Sequence, residues 1–60
     1  MKNHTTAKEL MRDPDCADCG KTLTGDDIVV LFQTDKGEDI LPGYFCDDCS
    51  DNYNGNGELV

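Results

Sequence analysis

Four cysteines are the residues best placed to do chemistry, and they fall into two C-x-x-C pairs, Cys16-Ala17-Asp18-Cys19 and Cys46-Asp47-Asp48-Cys49, with 26 residues between them. A two-residue gap lets one tight turn aim both of its sulfurs at the same point, and four thiolates complete the tetrahedral shell of Zn²⁺. The spacing therefore predicts Cys16, Cys19, Cys46 and Cys49 as ligands of one structural zinc ion. An iron–sulfur or rubredoxin-type iron site is a second use of the same donors, and disulfide or redox chemistry a third. Met1-Lys2-Asn3-His4-Thr5 opens a polar stretch without the apolar core of a signal peptide, and no run reaches transmembrane length. A cytoplasmic chain with no membrane role is the expectation, and in that compartment metal is favoured over disulfides.

The remaining side chains offer little catalysis. Four thiolates leave zinc no open position for a water or substrate, which is what catalytic sites keep. A thiol redox centre needs one pair acting alone near a βαβ unit, for which the chain is too short. His4, twelve residues before Cys16, reads as solvated. Asp18, Asp47 and Asp48 sit within the pairs, where like charge disfavours them around a dianionic four-thiolate centre, and they read as solvated or as contacts for a basic partner. Lys21 offsets part of that charge. No Ser/His/Asp set and no glycine-rich phosphate loop is present, so the chain is not expected to be an enzyme.

At 60 residues, the chain is at most one small domain, and so little buried surface needs a staple. Metal supplies it: structural zinc contributes roughly 10–16 kcal/mol of apparent binding energy in small fingers. Thirteen acidic residues against five basic ones give a formal net charge of -8. Four thiolates and one Zn²⁺ take this to about -10. Such a chain lacks the Lys/Arg patch that phosphate contacts require, so nucleic acid is disfavoured as a partner. The acidity serves solubility or matches a basic protein surface.

Positioning elements follow from local signals. Met1 to Thr5 reads as a disordered tail. Thr6-Ala7-Lys8-Glu9 fits a capping box that opens a short helix, with Leu10 and Met11 as its apolar face and Asp13-Pro14 as its stop. Gly20 lets the chain turn back after the first pair. Ile28 to Phe32 is the strongest strand, Asp35-Lys36-Gly37-Glu38 a hairpin turn, and Asp39 to Leu41 a return strand ending at Pro42-Gly43. Asp47 to Tyr53 suits a helix with acids in its first turns, broken by Asn54-Gly55-Asn56-Gly57. The expected division is a tail and helix over 1–13, a four-cysteine metal domain over 14–54, and a flexible tail over 55–60. The main strand is apolar on both faces, Ile28, Val30 and Phe32 on one and Val29 and Leu31 on the other. One face therefore awaits a cover: the N-terminal helix, Leu59 and Val60 of the tail, a partner, or a second copy in a homodimer.

Cys16 to Lys21 and Tyr44 to Cys49, joined by a hairpin and followed by a helix start, resemble treble-clef zinc fingers; closure on a second hairpin would make a zinc ribbon. The same residues are similar to the zinc-binding domain of the ClpX unfoldase and to small anti-sigma factors of the Gin and Fin type. The resemblance spans about residues 16 to 53. It departs in a longer loop between the pairs, an early break after Cys49, and the missing basic residues of nucleic-acid-binding fingers. It implies the four cysteines as ligands and protein binding as the task. The expected fold is a small metal-stabilised α+β domain: a zinc knuckle, a β-hairpin and a second knuckle leading into a short helix, after a short N-terminal helix. The expected function is that of a zinc-stabilised acidic interaction module that docks on and occludes a larger partner such as transcription machinery. Val29, Leu31, Tyr44, Asp47 and Asp48 are the candidate contacts. A nucleic-acid-binding finger and a redox or metal-transfer protein are the alternatives.

Overall fold

Strand formation centres on Ile28–Phe32, whose β-branched and aromatic residues fit a pleated surface buried on both sides. In the computed structural model, which describes all 60 residues, this strand is the middle of a three-stranded antiparallel sheet. The chain order is β1 (Lys2–Thr6), α1 (Ala7–Leu10), β2 (Ile28–Phe32), β3 (Phe45–Cys46) and α2 (Asp47–Ser50). β1 pairs with β2 from Lys2 opposite Phe32 to Thr6 opposite Ile28, and β3 pairs on the other side, Val30 opposite Phe45. The result is a small α+β fold with a four-cysteine cluster at one end of β2 and β3.

β1 corrects the expectation of a disordered N-terminal tail. Its sequence has no apolar alternation, so its strand state comes from the neighbour: Met1 exchanges hydrogen bonds with Gln33 at 2.7 and 3.0 Å, and Ala7 N–H donates to the Asp27 carbonyl at 3.3 Å. The predicted return strand over Asp39 to Leu41 is also corrected. Gln33 and Asp39 form only an isolated bridge, with Ile40 N–H donating to the Phe32 carbonyl at 2.8 Å. The turn between them does form, with Gly37 at φ 84°. Residues after α2 do not run out as a tail either. Asn54 N–H donates to the Glu58 carbonyl at 2.8 Å and Tyr53 bridges Leu59, so the chain turns back.

Helix α1 begins where the capping signal places it, with Thr6 Oγ1 accepting from Glu9 N–H at 3.2 Å. The Glu9 carboxylate accepts instead from the Thr5 hydroxyl. Its apolar face is Ala7 and Leu10 rather than Leu10 and Met11. Met11 takes the left-handed position that closes the helix, at φ 58°, and its side chain is 91% exposed. Helix α2 is one turn long rather than running to Tyr53; Ser50 is buried because its hydroxyl donates back to the Asp47 carbonyl at 2.8 Å.

Consecutive residues of β2 point to opposite faces, and each face has its own core. Val29 packs with Ala7, Leu23, Cys16 and Cys46 on the metal-site side, with Leu10, Tyr44 and Cys49 around them. Val30 and Phe32 pack with Phe45 on the other, against Ile40, Leu41 and Tyr53. There Phe32, Phe45 and Tyr53 meet edge to face at centroid distances of 5.2 to 5.6 Å, a geometry aromatic quadrupoles favour. Val29, Val30 and Phe32 are thus covered from within the chain, while Leu31 stays half-buried and Ile28 is 39% exposed. Leu59 and Val60, offered as a cover, are 75% and 87% exposed.

Candidate metal centre

The first cysteine pair sits on a short two-stranded loop. Cys16 N–H donates to the Lys21 carbonyl at 2.7 Å and Leu23 N–H to that of Pro14 at 2.8 Å, while the Thr22 hydroxyl donates to the Asp15 carboxylate at 2.8 Å. Gly20, at φ 79°, supplies the reversal without the penalty a Cβ would bring. The second pair straddles the junction of β3 and α2. Cys46 is the N-cap residue of α2, and its own sulfur accepts from Cys49 N–H at 3.4 Å. Two backbone donors tie together the segments that carry the pairs: Ala17 N–H donates to the Tyr44 carbonyl at 2.7 Å and Cys46 N–H to Cys16 Sγ at 3.4 Å.

All four cysteines are free, and their sulfurs lie within 4.8 Å of one another. The Cys19 and Cys46 sulfurs are 3.8 Å apart. That equals the edge, about 3.8 Å, of a tetrahedron drawn with Zn–S bonds of about 2.3 Å. The donor set therefore fits a metal ion, and a tetrahedral four-thiolate shell is one that zinc takes. Cys16, Cys19, Cys46 and Cys49 would hold it. Bound there, the ion cross-links the loop to the sheet and neutralises part of the thiolate charge.

Hydrogen bonding is uneven across the four sulfurs. Cys16 Sγ accepts from the N–H groups of Asp18 at 3.4 Å, Cys19 at 3.5 Å and Cys46 at 3.4 Å. In the metal-free chain burial pushes the Cys16 thiol up, but those three N–H groups prevail and hold it at about 6. Burial pushes Cys46 up, against the single N–H of Cys49. Cys49 is pushed up by the crowding Cys46 and Cys19 thiols, with burial adding to them. One thiolate thus forms readily while Cys46 and Cys49 resist, a conflict that a dication removes.

The other sequence candidates scatter. Val29 is fully buried and offers no surface, so as a direct partner contact it is corrected: its side chain fills the core beneath the cysteines. Leu31 and Tyr44 are half-buried and share a groove of about 300 Å³ with Leu10, Gln33, Asp39 and Gly43. Asp47 and Asp48 are exposed beside a hollow of about 150 Å³ with Lys21, Leu23, Asp27 and Ile28. Asp18 is exposed, as expected, and accepts a hydrogen bond from the Tyr53 hydroxyl at 3.4 Å. That contact ties the first cysteine pair to the opposite core. Burial, with the Asp18 charge behind it, pushes the Tyr53 phenol up. Leu10 and Arg12, whose guanidinium donates to the Tyr44 hydroxyl at 3.2 Å, were missed as neighbours of the groove. Their separation from Tyr44 in sequence leaves no local signal. No helix is long and apolar enough to cross a membrane. No protein-family model, curated protein or solved structure matches the chain.

Proposed function

We propose that the chain is a zinc-stabilised, acidic protein-interaction module of treble-clef type, which docks on a basic surface of a larger protein such as a component of the transcription machinery and occludes it. The observation that carries this is the convergence of four cysteine sulfurs within 4.8 Å, a donor set that fills a tetrahedral shell by itself. A metal held this way builds structure, and the task falls to the surface it supports. In the treble-clef reading, the loop from Asp15 to Thr22 is the knuckle, β2 and β3 stand for the hairpin, and the junction of β3 and α2 supplies the closing pair.

Support for docking comes from surface chemistry. The groove between Leu31 and Tyr44 offers apolar contact. Asp47 and Asp48 add exposed negative charge to a chain whose formal net charge is -8, which speeds encounter with a basic partner and repels nucleic acid.

The test is capture from the native cell lysate with zinc-loaded protein as bait. Leu31→Ser and Asp47→Asn/Asp48→Asn serve as folded controls, and Cys46→Ser/Cys49→Ser as the unfolded one. A basic protein of the transcription machinery, retained by the wild type, lost with Leu31→Ser and weakened by salt, supports the proposal. Equal retention by the unfolded control, or direct salt-sensitive binding to DNA or RNA, overturns it.

A further inference from the structure

The four sulfurs of the cluster are not equivalent. Every backbone N–H that reaches the cluster goes to the first cysteine of a pair: three to Cys16 and one to Cys46. Those two residues are also buried, 3% and 6% exposed. Cys19 and Cys49 accept none. Cys49 is half-covered and packs against the core cluster, whereas Cys19 is exposed. An N–H donor withdraws electron density from a thiolate, as a charge-assisted hydrogen bond stabilises the anion it touches. A sulfur free of N–H donors and an exposed residue therefore coincide at Cys19.

Resting on the four-thiolate zinc reading, we propose that Cys19 is a modification site: in the zinc-loaded protein its thiolate is the first to react with small uncharged electrophiles, hydroperoxides among them, and its loss releases the metal. With a hydroperoxide, Cys19 Sγ attacks the terminal oxygen. The S–O bond forms as the O–O bond breaks, and the departing oxyanion takes a proton from water. Sulfur is oxidised by two electrons to the sulfenic acid and the peroxide is reduced by two. The ligand set falls from four thiolates to three, and the loop keeps only Cys16 as an anchor to the ion, which weakens the site and lets the metal go. Charge selects the co-reactant. Asp18 and Asp48 lie beside the cluster in sequence and the chain carries a formal -8, so uncharged reagents reach Cys19 and anionic disulfides are repelled.

Zinc content is measured first; a value well below one ion per chain counts against the metal reading rather than against Cys19. The zinc-loaded protein is then treated with less than one equivalent of N-ethylmaleimide, and single adducts are mapped by peptide mass spectrometry. Most of them are expected on Cys19. A majority on Cys16, Cys46 or Cys49, or an even spread, overturns the proposal. A second measurement follows zinc release by hydrogen peroxide in Cys19→His and Cys49→His, each of which keeps four ligands. Cys19→His is expected to slow release several-fold and Cys49→His much less. Equal slowing by both overturns the proposal.

Discussion

The backbone N–H of Cys46 donates to Cys16 Sγ at 3.4 Å, so each cysteine pair is hydrogen-bonded to the other through the sulfur a metal would use. The bond links the loop after Pro14 to the end of β3, and both partners are buried in one cluster with Val29. Metal site and core are one unit here. In a zinc-loaded chain, removing the ion would leave crowded sulfurs inside that core and take away roughly 10–16 kcal/mol of apparent binding energy, against about 3–5 kcal/mol that a core of this size supplies. Stripping zinc with a strong chelator at neutral pH should abolish the dispersed amide spectrum of the folded chain, and zinc should restore it. Cys46→Ser should behave like the stripped protein. A chelated chain that keeps its β-sheet signature would show the core to be sufficient alone.

Acidification should act first through Cys16. Its thiol falls from 9.0 to about 6 in the folded metal-free chain. Between those values the unfolded chain binds the proton and the folded chain does not, so stability rises with pH across that window. The contribution is fully present above about 9 and is lost as pH falls through about 6. Ultraviolet thiolate absorbance of metal-free protein, held folded by a stabilising osmolyte, should show one early titration that Cys16→Ser removes. Zinc-loaded protein should release its ion on acidification, as protons compete for the thiolates. A first titration that persists in Cys16→Ser would refute the assignment.

The four-cysteine cluster was legible in sequence because its determinants are local: a two-residue gap, Gly20 after the second cysteine, and a second pair preceded by Tyr44-Phe45. The Thr6 cap was legible for the same reason. What escaped depends on partners far along the chain. Lys2 to Thr6 has no strand pattern of its own and becomes β1 by pairing with Ile28 to Phe32. Met11 reads as apolar core until the helix closes in a left-handed turn that turns it to solvent. The apolar excess of β2 implied that a face awaited a cover, yet Ala7 and Leu23 cover one side while Phe45 and Tyr53 cover the other.

Gly57 should be the least replaceable glycine. It sits at φ 77°, and a Cβ there would lie 2.9 Å from Ile40 Cγ2 and 3.1 Å from Leu41 Cγ. Gly25, at φ 57°, has open space around it. Gly25→Ala should therefore cost only the left-handed backbone, about 1 kcal/mol. Gly57→Ala adds overpacking against the second core, for a total of about 2–3 kcal/mol. Denaturant unfolding of zinc-loaded protein compares them directly. Equal losses would mean that the turn after Asn54 does not pack on Ile40 and Leu41.

Val29 and Leu31, adjacent on one face of β2, should separate stability from binding. Val29 is fully buried between Ala7, Leu23 and the cysteines. Val29→Ser leaves a cavity and places a hydroxyl where the core offers few partners, which should cost about 3 kcal/mol. Leu31 lies half-buried along the groove it shares with Leu10 and Tyr44. Leu31→Ser exchanges one partly solvated side chain for another and should cost about 1 kcal/mol or less. The zinc-loaded Leu31 variant should then keep its fold and lose the captured partner, while the Val29 variant loses zinc-loaded stability first. Should Leu31→Ser unfold the protein as readily as Val29→Ser, the groove is core surface and the docking assignment fails there.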